Sequence, residues 1–145
     1  LDRRLKKIGL TEKMTPLKIR TRQRCEFVDI TRDVAKAVQK SGILNGILLI
    51  YCPHTSAGIT INENADPSVI SDITLKTSKI IEHSDPDYRH GEGNSDSHIK
   101  SSLFGASETV IIEKGKLVLG TWQGIFFTEF DGPRNREIFL KIIAG

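Results

Sequence analysis

The run Gly46-Ile47-Leu48-Leu49-Ile50-Tyr51-Cys52, closed by Pro53, is the most apolar stretch of the chain. A short unbroken apolar run ended by proline reads as a strand with both faces covered, because proline cannot donate to a ladder. It is too short to cross a membrane, which takes ~20 apolar residues in a helix. Upstream, Leu17 to Val28 reads as a strand broken near Arg24. There Lys18, Arg20, Arg22 and Arg24 alternate with Leu17, Ile19 and Thr21 and form a solvent face. Between these strands, Asp29 or Thr31 can cap a helix running through Lys40, with Val34, Ala37 and Val38 on one face and Gly42 at its C-cap.

Downstream, Ala57 to Asn62 alternates again and predicts another strand. Asp66-Pro67 is a helix start, a capping carboxylate followed by proline at the first helical position. Val69, Ile70, Ile73, Ile80 and Ile81 carry that helix to about Glu82. His83 to Ser95 lacks periodicity, holds Pro86, Gly91 and Gly93, and reads as a long loop of the functional kind. Asp96 caps a short helix, Ser97 to Phe104, closed by Gly105. The C-terminal third is a meander: Glu108–Glu113, a turn at Lys114-Gly115, Lys116–Trp122, Ile125–Phe130, a turn at Asp131-Gly132-Pro133, and Arg136–Ile143. The order β-α-β-β-α-α-β-β-β, with runs of strands and segregated helices, predicts an α+β fold of mainly antiparallel strands with about three helices. No glycine-rich phosphate loop leads from a strand into a helix, so a dinucleotide-binding pattern is excluded.

The chain has 145 residues, 38% hydrophobic and 27% charged. These values suit one globular domain over residues 1–145. Residues 1–24 hold nine Lys/Arg against two acids, and the remainder hold twelve against sixteen. Met14 can mark the start of the domain proper, with residues 1–13 as an extension. Neither a signal peptide nor a membrane span is expected, which predicts a cytoplasmic protein. Cys25 and Cys52 form no disulfide framework.

Three segments concentrate polar groups that a scaffold does not need. The first is Pro53-His54-Thr55-Ser56 at a strand end, with Asn62-Glu63-Asn64 and Asp66 after the next strand. The second is Tyr88-Arg89-His90 through Asp96, continuing as Ser97-His98-Ile99-Lys100-Ser101-Ser102. The third is Gly120-Thr121-Trp122-Gln123-Gly124, with Glu129 beyond it. His54, His90 and His98 can jointly ligate a metal if the fold gathers them, and otherwise are separate histidines. His83 reads as a helix-end residue. Glu63, Asp66 and Asp72 invite an acid–base reading, with Glu63 at a strand end the better placed. The N-terminus of the short helix, with Lys100, favours an anion such as phosphate. Trp122 can stack on a ring or fill the core.

Taken together, His54-Thr55-Ser56-Ala57, Asn62-Glu63-Asn64, Asp66-Pro67, Tyr88-x-His90, Ser97 to Ser102, and Gly120 to Ile125 with Glu129 resemble the YjbQ-like family, also labelled secondary thiamine-phosphate synthase. The resemblance covers about residues 16–143. It implies a YjbQ-like β-sandwich assembled as a homotrimer, with a polar site near a subunit boundary. It also implies a transferase joining hydroxymethylpyrimidine diphosphate to thiazole phosphate. On this reading His54, Glu63, His98 and Glu129 are the catalytic candidates. Thr55, Ser56, Asn62, Lys100, Ser101, Ser102, Trp122 and Gln123 are the substrate-binding candidates. His54, His90 and His98 are the candidate ligands of a divalent metal, Zn or Mg. Glu63, Asp66 and Glu129 can offer oxygens to Mg²⁺, and Trp122 or Tyr88 can stack on a heterocycle.

Two alternatives follow from the same residues. A metal-dependent hydrolase or lyase of a small phosphorylated metabolite suits the histidines better than a magnesium cage does. A non-enzymatic module would bind an anion or RNA through Lys18–Arg24, although basic charge without interleaved aromatics is a poor nucleic-acid signature.

Overall fold

The computed structural model describes residues 14–145. The reading of residues 1–13 as an extension lies outside them. Eight strands and three helices follow in the order β1 (Met14–Arg20), β2 (Glu26–Asp29), α1 (Thr31–Ser41), β3 (Gly46–Tyr51), β4 (Ala57–Glu63), α2 (Pro67–Ile80), α3 (Ser95–Phe104), β5 (Ser107–Glu113), β6 (Lys116–Leu117), β7 (Gln123–Glu129) and β8 (Asn135–Ala144). The strands form a five-stranded sheet, β1-β8-β3-β5-β6, and a three-stranded sheet, β2-β7-β4. Every pairing is antiparallel. The α+β class with three helices is therefore the observed one.

The core lies between the sheets. Leu48, Ile50, Val110, Ile112, Ile138, Leu140 and Ile142 come from the larger sheet, and Ala57, Ile59, Ile125 and Phe127 from the smaller. Helix α1 adds Val34 and Val38. Its first turn is secured by Asp29, whose Oδ1 accepts from Thr31 N at 2.9 Å. Gly42 ends it at φ 71°, a left-handed conformation in which a side chain would be strained. Helix α2 starts as its sequence predicts, with Asp66 accepting from Ser68 N at 2.8 Å ahead of Pro67.

The strand predicted over Leu17–Val28 is two strands in different sheets. After β1, Thr21 N still donates to Arg134 O at 2.9 Å. The Glu26 carboxylate then accepts from Arg22 N and Gln23 N and turns the chain into the second layer. The predicted Lys116–Trp122 strand shrinks to Lys116–Leu117. Its end is drawn into a turn in which Gln123 Oε1 accepts from Gly120 N at 2.8 Å.

The apolar run at β3 has one covered face, not two. Leu48 and Ile50 are sealed, while Ile47 and Tyr51 are 40% and 46% exposed. On that outer face Ile47 stands in register between Ile111 and Ile143, and Tyr51 pairs with Phe139. None of the three helices covers Ile47, Tyr51 or Ile111. Helix α2 is likewise uncovered: none of its residues is buried, and Leu75 and Ile80 are exposed. Among the described residues, no helix is long and apolar enough to cross a membrane.

Candidate functional site

At one end of the sandwich the β3–β4 connection meets α3. His98, in the second turn of α3, places Nδ1 3.0 Å from Thr55 O. A carbonyl only accepts, so Nδ1 carries the proton and the neutral ring keeps its Nε2 lone pair. His54 is held at its other ring nitrogen: Nε2 lies 2.9 Å from Glu137 O and 3.3 Å from Glu137 N on β8, donating to the carbonyl in one tautomer and accepting from the amide in the other. The His90 ring stands edge-on to His98 with centroids 5.1 Å apart. His54 and His98 are half-buried and His90 is exposed, so all three are within reach of solvent.

Beneath these rings lies a buried ionic cluster. Asp96 is fully buried and takes Arg24 in a bidentate pair at 2.9 and 2.8 Å, Lys100 Nζ at 2.9 Å and His83 Nδ1 at 3.2 Å. Burial alone would raise the Asp96 pKa. The hydrogen bonds from Arg24, Lys100 and His83 outweigh it and hold the carboxyl well below the usual range. The same contact raises the pKa of Arg24.

A second cluster centres on Glu129, also fully buried. Arg136 grips it at 2.8 and 2.6 Å, and it accepts from Thr21 Oγ1 and from the amides of Phe130 and Asp131. Arg136 also donates to Ser56 Oγ at 2.9 Å. Ser97 links the two clusters, donating to Phe130 O at 2.7 Å and accepting from Arg24 at 3.3 Å. Gly58 lets α3 close onto β4, since a Cβ there would meet Gly105 O at 2.6 Å.

This geometry sorts the sequence candidates. His98, His90, Thr55 and Ser56 gather at one end, with His54 anchored to β8 beside them. Lys100 is nearby but sealed and committed to Asp96, so its charge does not face a ligand. Ser101 is spent on Ala57 O at 2.8 Å, and Ser102 on His98 O within its own helix at 2.9 Å. Glu129 is fully buried and holds Arg136. Asp96 is not the cap: that position falls to Asn94, and Asp96 lies inside the first turn.

Asn62, Glu63, Trp122 and Gln123 lie elsewhere. In the β4–β7 ladder Ala57 pairs with Glu129 at one end and Glu63 with Gln123 at the other. Six residues of strand separate those ends by about 20 Å. Glu63, Asp66 and Glu129 therefore do not gather into a magnesium cage within one chain. Trp122 is 63% exposed and fills no core. The His90 and His98 rings meet edge to face at an interplanar angle of 82°. Glu92 Oε2 lies 3.7 Å from His90 Nε2, and among the described residues no three His, Cys, Asp or Glu side chains are arranged to hold a metal ion.

Several partners escaped the sequence reading. Arg24 is not on a solvent face but in the Asp96 pair, and His83 is more than a helix-end residue. The i, i+4 spacing of Asp96 and Lys100 was a visible signal. Arg136 shares the inward parity of Ile138, Leu140 and Ile142, and a charge at such a position calls for a buried partner.

Comparison with known proteins agrees with this architecture. The chain is 53% identical over 128 residues to the UPF0047 protein YugU of Bacillus subtilis, covering 88% of this chain and 97% of that protein. It is 58% identical over 126 residues to a UPF0047 protein of Methanocaldococcus jannaschii, covering 87% and 91%. The crystal structure of an uncharacterised conserved YjbQ/UPF0047 family protein from Clostridium acetobutylicum superposes with a TM-score of 0.87 at 55% identity, covering 89% of this chain and 99% of that one. A YbjQ-like protein of unknown function from Sulfolobus solfataricus gives 0.87 at 37% identity, covering 92% and 97%. Residues 15–145 match the family described as UPF0047 protein YjbQ-like, and the chain belongs to that family.

Proposed function

We propose that the protein is a cytoplasmic enzyme acting on small phosphorylated substrates at the His54–His90–His98 face, with thiamine-phosphate synthase-type transfer as its reaction. The observation that carries this reading is the pinning of His98. Its Nδ1–H is fixed on Thr55 O, so a free Nε2 lone pair is held at a set orientation. In the reaction the methylene–oxygen bond of the pyrimidine diphosphate breaks, and pyrophosphate leaves with the electron pair. The thiazole nitrogen then forms the new carbon–nitrogen bond. As positive charge develops on the pyrimidine, its amino group becomes a stronger donor. The His98 lone pair accepts from it and favours the charged transition state.

The outer face of the larger sheet supports a homotrimer. Ile111, 59% exposed, with Ile47 and Tyr51 forms an apolar surface larger than isolated residues would make.

A metal-dependent hydrolase is the second reading, favoured by the neighbouring His90 and His98 rings. One assay separates the two. The protein is incubated with both phosphorylated precursors, and thiamine phosphate and inorganic phosphate are quantified. Thiamine phosphate that disappears with His98→Ala supports the transferase. Orthophosphate release without thiamine phosphate moves the assignment to the hydrolase.

A further inference from the structure

Where β1 ends and the β7–β8 turn returns, an open cleft of about 430 Å³ is lined by Arg20, Thr21, Arg22, Pro133, Arg134 and Asn135. That is the size of a small-ligand site. Arg20 and Arg22 are exposed, and neither guanidinium has a hydrogen-bond or ion-pair partner among the described residues. Arg134 is held in place: Nε donates to Asp131 O at 2.7 Å and Nη2 to Asp131 Oδ2 at 2.8 Å. The other nearby carboxylate, Glu26, is spent on the backbone amides of Arg22 and Gln23. Three guanidinium groups thus share a cleft in which one carboxylate pairs with one of them. Like charges placed together disfavour one another unless a counter-anion occupies the space between.

The floor is rigid. Thr21 is buried, its amide donates to Arg134 O, and its hydroxyl accepts from Arg134 N at 2.8 Å while also lying 3.1 Å from Glu129 Oε2. The arginines therefore project from a cross-braced frame and not from a free loop, which lowers the ordering cost of binding.

We propose that this cleft is an anion site for a small molecule bearing a phosphate or diphosphate group. The planar guanidinium fork matches phosphate oxygens in a bidentate manner, and three such groups suit an ion of several charges. No aromatic residue lines the cleft, so it lacks the stacking platform that single-stranded nucleic acid uses. Asn135 lies two residues before Glu137, whose backbone anchors His54, or about 7 Å along β8. The anion would thus lie on the histidine side of the fold. The binding claim does not depend on the proposed reaction, since it is measured without turnover.

The test is calorimetric titration of the whole protein with inorganic pyrophosphate at fixed ionic strength. Wild type is compared with Arg20→Gln/Arg22→Gln, with Arg22→Gln alone, and with Lys36→Gln, an exposed lysine on α1. The expected result is binding by wild type, weakened at least about tenfold in the double variant and to a lesser degree in Arg22→Gln, with Lys36→Gln like wild type. No binding at millimolar pyrophosphate, or equal affinity in both arginine variants and wild type, overturns the proposal. So does a single-stranded RNA that binds through the same arginines and is not displaced by pyrophosphate.

Discussion

Lys100 Nζ meets Asp96 Oδ2 at 2.9 Å one turn apart on α3, and the two side chains are 3% and 0% exposed. Arg24 completes it from the segment that joins the two sheets, so this one carboxylate ties α3 to the crossover between layers.

Removing one member of a buried pair strands the other charge, at a cost of about 3–5 kcal/mol. Asp96→Ala should therefore lose stability of that order in denaturant unfolding. Asp96→Ala with Lys100→Met should recover part of it. A loss below about 1 kcal/mol in the single variant would contradict the role given to Asp96.

The same carboxylate sets a pH dependence. Its folded pKa lies below the unfolded value of about 3.9, so its contribution is present above that value. Stability should fall as pH drops below about 4, and Asp96→Asn should flatten that limb of the profile. Unfolding midpoints measured from pH 6 down to pH 2.5 would show this, and equal slopes in both proteins would contradict it.

Glu129 is predicted to act through Arg136. Glu129→Gln should lower the melting temperature sharply while leaving turnover per folded molecule within about twofold of wild type, because the carboxylate touches no solvent. A folded variant that is at least a hundredfold slower would restore Glu129 to the reacting atoms.

The outer row of the larger sheet makes a prediction about assembly. Ile111→Lys places a charge in the row shared with Ile47 and Ile143. Light scattering should find wild type as a trimer and the variant as a smaller species that remains folded. A monomeric wild type would remove the subunit-boundary account. Trp122→Ala, at an exposed position, should change the stability of the isolated chain by no more than about 0.5 kcal/mol.

Much of the fold was legible because local signals agreed with it. Asp66-Pro67, Gly42 and the alternation of β8 each specify an element without help from elsewhere. The break near Arg24 was legible, but the move of Glu26–Asp29 into the other sheet was not, since a strand that changes sheets keeps its alternation and shows only a polar interruption. The double-sided burial expected of β3 failed because an apolar residue reads alike in the sequence whether or not the fold covers it. At the site, His54, His90 and His98 were legible as residue types at strand and helix ends. Their geometry was not, because Thr55 O and Glu137 O are backbone acceptors that no side-chain motif announces. Glu129 read as catalytic and Lys100 as substrate-binding because a buried ion pair and a reactive site use the same side chains.

The central claim is that the free Nε2 of His98 does chemistry while its Nδ1 holds the fold. His98→Asn separates the two, since the asparagine amide can still donate to Thr55 O but has nothing at the Nε2 position. The decisive measurement is thiamine phosphate formation by this variant beside wild type, with melting temperatures recorded on the same samples. A variant that melts like wild type and forms product at least about a hundredfold more slowly is the predicted result. A variant that forms product at the wild-type rate, or a wild type that forms none, contradicts the account.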